Sequence, residues 1–269
     1  MSYKSYTIAV IIPAHNEEQA IAKVVKDLGS LQCPETQQGL VDRIIVCDNA
    51  STDATAKIAQ QAGADVYHEF RKGYGFACLR GIDKLSTAEH TPPDFVVFVD
   101  GDNSADVNDL QRILDKLIAG NDLVVGARQT SLQEANAVSP HQQFGNWLAS
   151  GLIRLIWREQ VSDLGPFRAI RYRSLKLINM QDKRFGWTVE MQVKVIQAAM
   201  AYAEVPVKTK QRIGKSKISG TVRGTIGAAI GIFGKIFTLF ALQPIFKIKL
   251  RQSQSFIDNS LDNTAKRSL

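Results

Sequence analysis

The sequence predicts an α/β protein with a mostly parallel central sheet flanked by helices, followed by an apolar and basic C-terminal helical segment. Short apolar runs alternate with segments of helical spacing up to about residue 130. This alternation is typical of a parallel sheet that is covered by helices on both faces. Polar side chains follow several of the apolar runs, and such sheets bind ligands beyond the carboxyl ends of their strands.

The expected elements alternate along this part of the chain. Strands are expected at residues 7–12, 41–48, 64–69, 95–99 and 122–128. Helices are expected at residues 16–28, 55–62, 75–85 and 106–117. Glu17 and Glu18 would lie in the first turn of the first helix, where acidic side chains suit the helix dipole. Ser51 or Thr52 is expected to cap the second helix.

Composition narrows the class of protein. The 269 residues allow one large domain or two small ones. With 45% hydrophobic and 22% charged residues, the chain is neither collagen-like nor wholly disordered. Its three cysteines form no CxxC pair, which argues against a disulfide scaffold and favours a reducing cytosol. The first apolar run is too short for a signal peptide, so a cytoplasmic protein is expected.

The positive charge is concentrated near the C-terminus. The net charge is +7, and residues 205–251 hold ten Lys or Arg residues and no Asp or Glu. A nucleic-acid-binding protein is not expected to confine its charge in this way. Such a segment suits phosphate or an anionic membrane surface, although a solvated basic face has the same composition.

Polar residues follow four of the expected strands, and carboxylates follow three of them. These residues are expected to converge on one crevice at the carboxyl edge of the sheet; they are Asn16, Glu17, Asp48, Asn49, Asp100, Asp102 and Arg128. In the run VVFVDGDNSAD, Gly101 separates the two aspartates and lets the backbone turn. Paired carboxylates suit Mg²⁺ or Mn²⁺ with substrate phosphate completing the ligand shell, although an acidic turn would have the same residues.

Two nucleotide-binding motifs are absent. No GxGxxG follows the first strand and no GxxxxGK[ST] occurs, which argues against an NAD-dependent dehydrogenase and a P-loop NTPase. The loop RKGYGFACLRG carries Arg71, Lys72 and Arg80. It is either a phosphate-binding loop or a tight turn into a helix.

The motifs IIPAHNEE, VCDNASTDAT, RKGYG, VDGDNSAD and GAR, in this order, resemble the family 2 nucleotide-sugar glycosyltransferases of the GT-A fold. SDLGPFRAI, GWTVEMQ and RIGKSKISG are similar to the polyprenyl-phosphate branch of that family, the dolichyl-phosphate mannosyl- and glucosyltransferases. The resemblance covers about residues 7–235. It implies inverting, metal-dependent transfer of a hexose from a UDP-sugar or GDP-sugar, such as UDP-glucose or GDP-mannose.

The resemblance also implies residue roles. The implied metal ligands are Asp100 and Asp102, with Asp102 taking part in catalysis, and Ser104 or water is expected to complete the metal shell. Two residues depart from the family pattern: His15 stands where an aromatic Tyr or Phe is frequent, and Asn103-Ser104 replaces a Gln-bearing continuation. The implied donor-binding residues are Pro13, Ala14, Asn16, Glu17, Asp48, Asn49, Lys72, Gly73, Asp100 and Gly101.

The acceptor decides which further groups the reaction needs. A hydroxyl acceptor needs a carboxylate base, for which Glu190 is the candidate. A lipid phosphate is already mostly ionised at pH 7 because its second pKa is about 6, so it needs cations and no base. The candidate acceptor-phosphate residues are Arg128, Arg168, Arg212, Lys215, Ser216 and Lys217. The residues leave three hypotheses open: a polyprenyl-phosphate acceptor, a hydroxyl acceptor, and a non-catalytic nucleotide-sugar-binding protein.

Residues 226–242 form an apolar run interrupted at its midpoint by Lys235. A membrane-spanning helix needs about 20 apolar residues, and a central Lys costs roughly 3 kcal/mol on insertion. A helix at the membrane interface, or one buried against the catalytic domain, is expected instead. The expected organisation is a catalytic domain at 1–220, this helical segment at 221–251 and a polar, disordered tail at 252–269. The protein would be cytoplasmic, with peripheral attachment to the inner face of the membrane in the first case.

Overall fold

A computed structural model describes residues 3, 5–33, 36–86, 91–128, 140–214, 222–246 and 250. Its seven-stranded sheet has the order β3-β2-β1-β4-β6-β5-β7. β6 runs antiparallel to β4 and β5, and the other neighbouring strands are parallel. The mostly parallel sheet predicted from the sequence is therefore confirmed. The strands are β1 Ile8–Ala14, β2 Arg43–Asp48, β3 Asp65–His68, β4 Phe95–Phe98, β5 Leu123–Arg128, β6 Arg168–Arg171 and β7 Tyr202–Val207.

Helices cover both faces of this sheet. They are α1 Ile21–Gly29, α2 Thr55–Gln61, α3 Tyr74–Asp83, α4 Leu110–Ile118, α5 Pro140–Trp157, α6 Tyr172–Ile178, α7 Trp187–Gln197 and α8 Val222–Ala241. Apolar side chains of α1, α2 and α4 pack on one face, and those of α3, α6 and α7 pack on the other. The alternating side chains of β1 and β4 contribute to both clusters, which is why these strands are apolar throughout.

The structure corrects the predicted start of α1 and the predicted cap of α2. The first helix begins at Ile21 and not at Asn16, because Asn16 has a positive φ of 55°, which interrupts the helical geometry. Glu17 and Glu18 therefore precede the helix. Ala54 is the residue before α2 and makes no side-chain capping bond, whereas Asp53 Oδ1 accepts the backbone N–H of Thr55 at 3.0 Å. Ser51 instead accepts a hydrogen bond from the Asn16 backbone N–H at 2.9 Å.

A third apolar cluster joins α8 to the rest of the fold. Ile236 and Leu239 of α8 pack with Ala149 and Ile153 of α5 and with Val193 of α7. Among the described residues, no helix has the length and apolar character needed to cross a membrane. The predicted tail at 252–269 lies outside the described residues.

Candidate active site

A cleft of about 560 Å³ opens at the carboxyl ends of β1 and β4. It lies at the carboxyl edge of the sheet, where the polar residues after the strands predicted a crevice. Asn16, Asp48, Ser104 and Arg128 are not among its lining residues. The predicted residues that line it are Pro13, Ala14, Glu17, Asn49, Lys72, Gly73, Asp100, Gly101, Asp102 and Arg212.

Hydrogen bonds between two loops shape the β1 side of the cleft. Thr52 donates its backbone N–H to Asn16 Oδ1 at 2.7 Å, and the Glu17 N–H donates to Thr55 Oγ1 at 2.8 Å. His15 Nδ1 lies 2.8 Å from the carbonyl oxygen of Asn49. Asn16 thus supports the wall formed by its neighbours, and its side chain holds the loop that follows β2.

Asp48 and Asn49 at the end of β2 have different environments. Asp48 is buried, and its Oδ2 lies 3.0 Å from His68 Nδ1. Asn49 Oδ1 accepts the backbone N–H of Gly73 at 2.7 Å, while its Nδ2 donates to the Arg71 carbonyl at 2.7 Å. Asn49 therefore fixes the glycine-containing loop on the cleft wall.

That loop is both a tight turn and part of the cleft. Gly73 has a φ of 152°, and a Cβ at either Gly73 or Gly75 would clash with the backbone of residues 182–183. Lys72 lines the cleft, whereas Arg71 turns away and donates from Nε and Nη2 to the Glu69 carboxylate, at 2.8 Å each. Lys72 is therefore the basic side chain that this loop presents to a ligand.

The two aspartates after β4 lie at the floor of the cleft. Burial, and secondly the charge of Asp102, raises the pKa of Asp100 to about 7. Tyr74 donates its hydroxyl to Asp100 Oδ1 at 3.1 Å. Asp102 Oδ1 accepts the Ser104 backbone N–H at 2.9 Å. Two carboxylates crowded into a buried position are electrostatically unfavourable together, and a cation would relieve that repulsion.

Arg212 is held above this floor by an extended segment that runs beside residues 102–106. The Ile213 N–H donates to the Asp102 carbonyl at 2.9 Å, and the Lys210 N–H donates to the Ser104 carbonyl at 2.8 Å. Arg212 Nη2 lies 3.3 Å from Asp102 Oδ2 and 3.5 Å from Glu17 Oε1. Among the described residues, its buried Nε has no hydrogen-bond partner. The guanidinium lines the cleft, and its contacts to the two carboxylates are longer than ordinary charge-assisted hydrogen bonds.

Comparison with known proteins identifies the family. The model described as Glycosyl transferase family 2 matches residues 9–178. The chain belongs to this family. An uncharacterised glycosyltransferase of Mycobacterium tuberculosis is 33% identical over 225 residues, which are 83% of this chain and 94% of that protein. A dolichyl-phosphate hexose transferase of Haloferax volcanii is 28% identical over 225 residues, 83% of this chain and 90% of that protein.

Solved structures of similar fold confirm the GT-A architecture of this family 2 glycosyltransferase. Glucosyl-3-phosphoglycerate synthase from Mycobacterium tuberculosis, in complex with Mn²⁺, UDP and phosphoglyceric acid, superposes with a TM-score of 0.68. It is 22% identical, and the match covers 88% of this chain and 79% of that chain. A structure of the same enzyme with Mg²⁺ and UDP has a TM-score of 0.66 at 22% identity, over 87% and 79% of the two chains.

Two of the predicted acceptor cations have structural partners in this transferase. Arg168 is fully buried and donates to the carbonyl oxygens of Gly165 and Thr188, the latter at 2.9 Å. Arg128 donates from Nε and Nη2 to the two carboxylate oxygens of Asp163, at 2.8 and 2.7 Å. Arg168 therefore joins two segments of the core and is not available to an acceptor. Arg128 is largely committed to Asp163.

Glu190, the predicted base, is also engaged elsewhere. Its side chain is 2% exposed, and Oε1 lies 2.9 Å from Lys194 Nζ. Oε2 accepts the backbone N–H groups of Gln181 and Asp182, at 3.0 and 2.6 Å. The carboxylate is thus that of a loop anchor and not of a base facing substrate. Lys215, Ser216 and Lys217 lie outside the described residues.

Sequence reasoning missed two aromatic residues of the cleft, Tyr74 and Phe185. Tyr74 stands within the RKGYG motif, directly after the glycine that opens α3, so the motif itself gave a signal for it. Phe185 lies far along the chain in a loop with no regular spacing. Only the packing of that loop against Gly73 and Gly75 brings it to the cleft.

Proposed function

We propose that this glycosyltransferase transfers a hexose, with inversion, from UDP-glucose or GDP-mannose to a polyprenyl or dolichyl phosphate. The observation that carries the proposal is the charge arrangement of the cleft. Within the described residues, its carboxylates are Glu17, Asp100 and Asp102, and its cations include Lys72 and Arg212. Glu190 is held in the core. This arrangement suits an acceptor that needs cations and no base.

The aspartates fit the divalent cation that the family implies. Asp100, Asp102 and Ser104 would hold Mg²⁺ or Mn²⁺, which when bound would offset charge on the departing nucleoside diphosphate. The fit rests on the two crowded carboxylates, one of which has a pKa raised to about 7 in the absence of a cation. Lys72, which also lines the cleft, would pair with the donor diphosphate as a point charge.

The acceptor step follows from the ionisation of a phosphate monoester. One of its oxygens attacks the anomeric carbon, and the bond from that carbon to the nucleoside diphosphate breaks on the opposite face. Arg212 would position the phosphate, since it lines the cleft and its contacts to Asp102 and Glu17, at 3.3 and 3.5 Å, are long. Such a step depends on positioning and charge stabilisation. The 28% identity to a dolichyl-phosphate hexose transferase supports this acceptor class.

A hydroxyl acceptor is the second candidate. The structure of similar fold contains phosphoglyceric acid, a small anion that also carries a hydroxyl group. Arg212 would serve such an anion as well, so acceptor chemistry separates the two cases. A lipid product partitions into an organic phase, whereas a glycosylated phosphoglycerate stays in water.

The test supplies labelled UDP-glucose or GDP-mannose with Mn²⁺, and either dolichyl phosphate or 3-phosphoglycerate. We expect label in the organic phase only with the lipid phosphate. Arg212→Ala is expected to lower turnover efficiency about 10- to 150-fold through loss of a charge-assisted contact, and Glu190→Gln to lower it much less. Label transferred only to 3-phosphoglycerate would replace the lipid acceptor by the second candidate. Failure to release UDP or GDP with any acceptor would favour a non-catalytic nucleotide-sugar-binding protein.

The outer surface of α8 supports attachment to an anionic membrane as part of this proposal. Ile236 and Leu239 are buried, while Ile230, Phe237 and Phe240 are exposed on the same helix. An apolar face in a basic segment is typical of helices that lie in the membrane interface. We expect co-sedimentation with vesicles containing phosphatidylserine, reduced by high salt and by the double change Phe237→Ser, Phe240→Ser. Equal sedimentation with neutral and anionic vesicles would contradict the electrostatic part.

A further inference from the structure

The charged residue that interrupts the apolar α8 faces the protein interior. Lys235 Nζ lies 2.9 Å from Asp182 Oδ2, and the two side chains are 21% and 12% exposed. Partly buried pairs are screened by salt much less than surface pairs. Lys235, whose charge argued against a membrane-spanning helix, therefore forms a partly buried ion pair between α8 and a loop.

Asp182 belongs to the loop 181–186, which the core holds from another side. The Gln181 and Asp182 backbone N–H groups both donate to Glu190 Oε2, at 3.0 and 2.6 Å. Asp182 Oδ1 accepts the Arg184 N–H at 2.8 Å. One carboxylate oxygen of Asp182 thus organises the loop internally, and the other joins it to α8.

The same loop forms part of the cleft. Phe185 lines the cleft directly. The carbonyl oxygen of Lys183 accepts the Phe76 N–H at 3.2 Å. A side chain at Gly73 or Gly75 would strike the backbone of residues 182–183. Because these contacts are close, displacement of residues 182–183 would also displace the turn that carries Lys72.

The approach of α8 leaves little room for the loop to adjust. A Cβ at Gly186 would lie 2.6 Å from Asp182 Oδ2 and 3.0 Å from the Lys235 Cβ. A Cβ at Gly231 would lie 3.6 Å from the Phe185 Cβ. The Lys235–Asp182 pair is therefore set within a packed contact that reaches from α8 to the aromatic wall of the cleft.

We propose that Lys235 is a positioning residue for the nucleotide: through Asp182 it holds the loop 181–186, and with it Phe185 and the Lys72 turn, in the arrangement that binds the donor. The inference depends on the donor cleft of the family and is independent of the acceptor. A misplacement of about 1 Å caused by a change far from the chemistry is able to cost about 100-fold in rate, and we expect the contacts that bind the nucleotide to depend on the loop in the same way.

The test uses the full-length protein and calorimetric titration with UDP and with GDP, each with Mn²⁺. Lys235→Met keeps the bulk of the side chain and removes its charge. Asp182→Asn combined with Lys235→Met removes both charges, which avoids a buried unpaired carboxylate. Lys176→Met changes an exposed lysine of α6 and is the matched control. Each melting temperature is measured, and titrations are carried out well below the lowest.

We expect Lys235→Met to raise the nucleotide Kd about 10- to 100-fold. Lys235→Met should also lower the melting temperature, because it leaves the Asp182 carboxylate without its partner. The double variant should recover most of that loss but keep the raised Kd, because it restores stability without restoring the contact. Lys176→Met should bind as the wild type does. Wild-type affinity in Lys235→Met, or recovery of affinity together with stability in the double variant, would overturn the positioning role. Absence of wild-type binding to both nucleotides would overturn the donor site as well, which distinguishes that failure from loss of the positioning role alone.

Discussion

Two arginine–aspartate pairs near the carboxyl edge of the sheet differ in their geometry. Arg128 makes two side-chain hydrogen bonds to Asp163, at 2.8 and 2.7 Å, and its backbone N–H adds a third at 2.8 Å. Arg212 approaches Asp102 through Nη2 at 3.3 Å, and among the described residues its Nε has no hydrogen-bond partner. The first pair therefore has short, two-point geometry, whereas the second has a long contact of the kind that a ligand is able to replace.

This difference separates structural charges from functional ones. A bidentate guanidinium–carboxylate pair is strong and geometrically specific, so Arg128 and Asp163 stabilise the connection between β5 and the segment before β6. Because its contacts to two carboxylates are long, Arg212 is able to exchange them for a phosphate at little cost. The Asp102 carboxylate is equally able to exchange its contact with Arg212 for one with a divalent cation. Residue type alone does not distinguish the two arginines, and the number and length of their contacts do.

The largest expected effect comes from the aspartate of the looser pair. Asp102→Asn keeps the shape of the side chain but removes a charge needed to hold the divalent cation. We expect Mn²⁺-dependent release of the nucleoside diphosphate to fall about 100- to 1000-fold, the size of other losses of transition-state charge stabilisation. The melting temperature should be little changed. Asp163→Asn is the matched change in the tighter pair, and it should lower the melting temperature while turnover is retained. Unchanged turnover in Asp102→Asn would remove it from the metal site.

For stability, the arginine of the tighter pair should matter more than the arginine of the looser pair. Arg128→Ala leaves the buried carboxylate of Asp163 without its partner, which costs about 3–5 kcal/mol in the free energy of unfolding. Arg212→Ala removes longer contacts, to carboxylates that are 10% and 12% exposed, and should lower that free energy by less than Arg128→Ala does. Urea unfolding of both variants measures the difference. Equal losses would show that the two pairs are not distinguished by their contacts.

The residues at the floor and the β2 side of the cleft were predictable because they follow parallel strands. Asp100 and Asp102 lie in the turn that follows β4, which ends at Phe98, and Asn49 comes directly after β2. A parallel sheet brings such positions to one edge whatever the details of packing. The fold class follows from the same alternation of strands and helices.

The surroundings of the candidate acceptor residues were not predictable in this way because these charged residues have partners in irregular loops. Arg168 and Glu190 have the residue types expected of a phosphate ligand and a base. Arg168 instead satisfies backbone carbonyls of residues 164, 165 and 188, and Glu190 satisfies the amides of residues 181 and 182. β6 also escaped prediction, since its four residues begin and end with arginine and show no apolar run. Tertiary partners of this kind have no periodic signal in a sequence.

The smallest expected effect is the contribution of the tighter pair to the pH dependence of stability. Burial raises the pKa of Asp163, but the hydrogen bonds and charge of Arg128 outweigh it, so the net pKa is lowered from 3.8. The unfolded chain then binds the proton more readily than the folded one, and stability rises with pH across this range. The contribution is complete above about pH 4 and is lost as the pH falls through the lower pKa of the folded state.

Urea unfolding at a series of pH values from 6 downwards measures this contribution. The free energy of unfolding should fall less steeply with pH in Asp163→Asn than in the wild type, with each unit of pKa difference worth about 1.4 kcal/mol. Asp27→Asn, which alters the more exposed i,i+4 pair with Lys23, should follow the wild-type profile because surface pairs contribute little. If the free energy of unfolding falls as steeply with pH in Asp163→Asn as in the wild type, other carboxylates are responsible for the acid sensitivity.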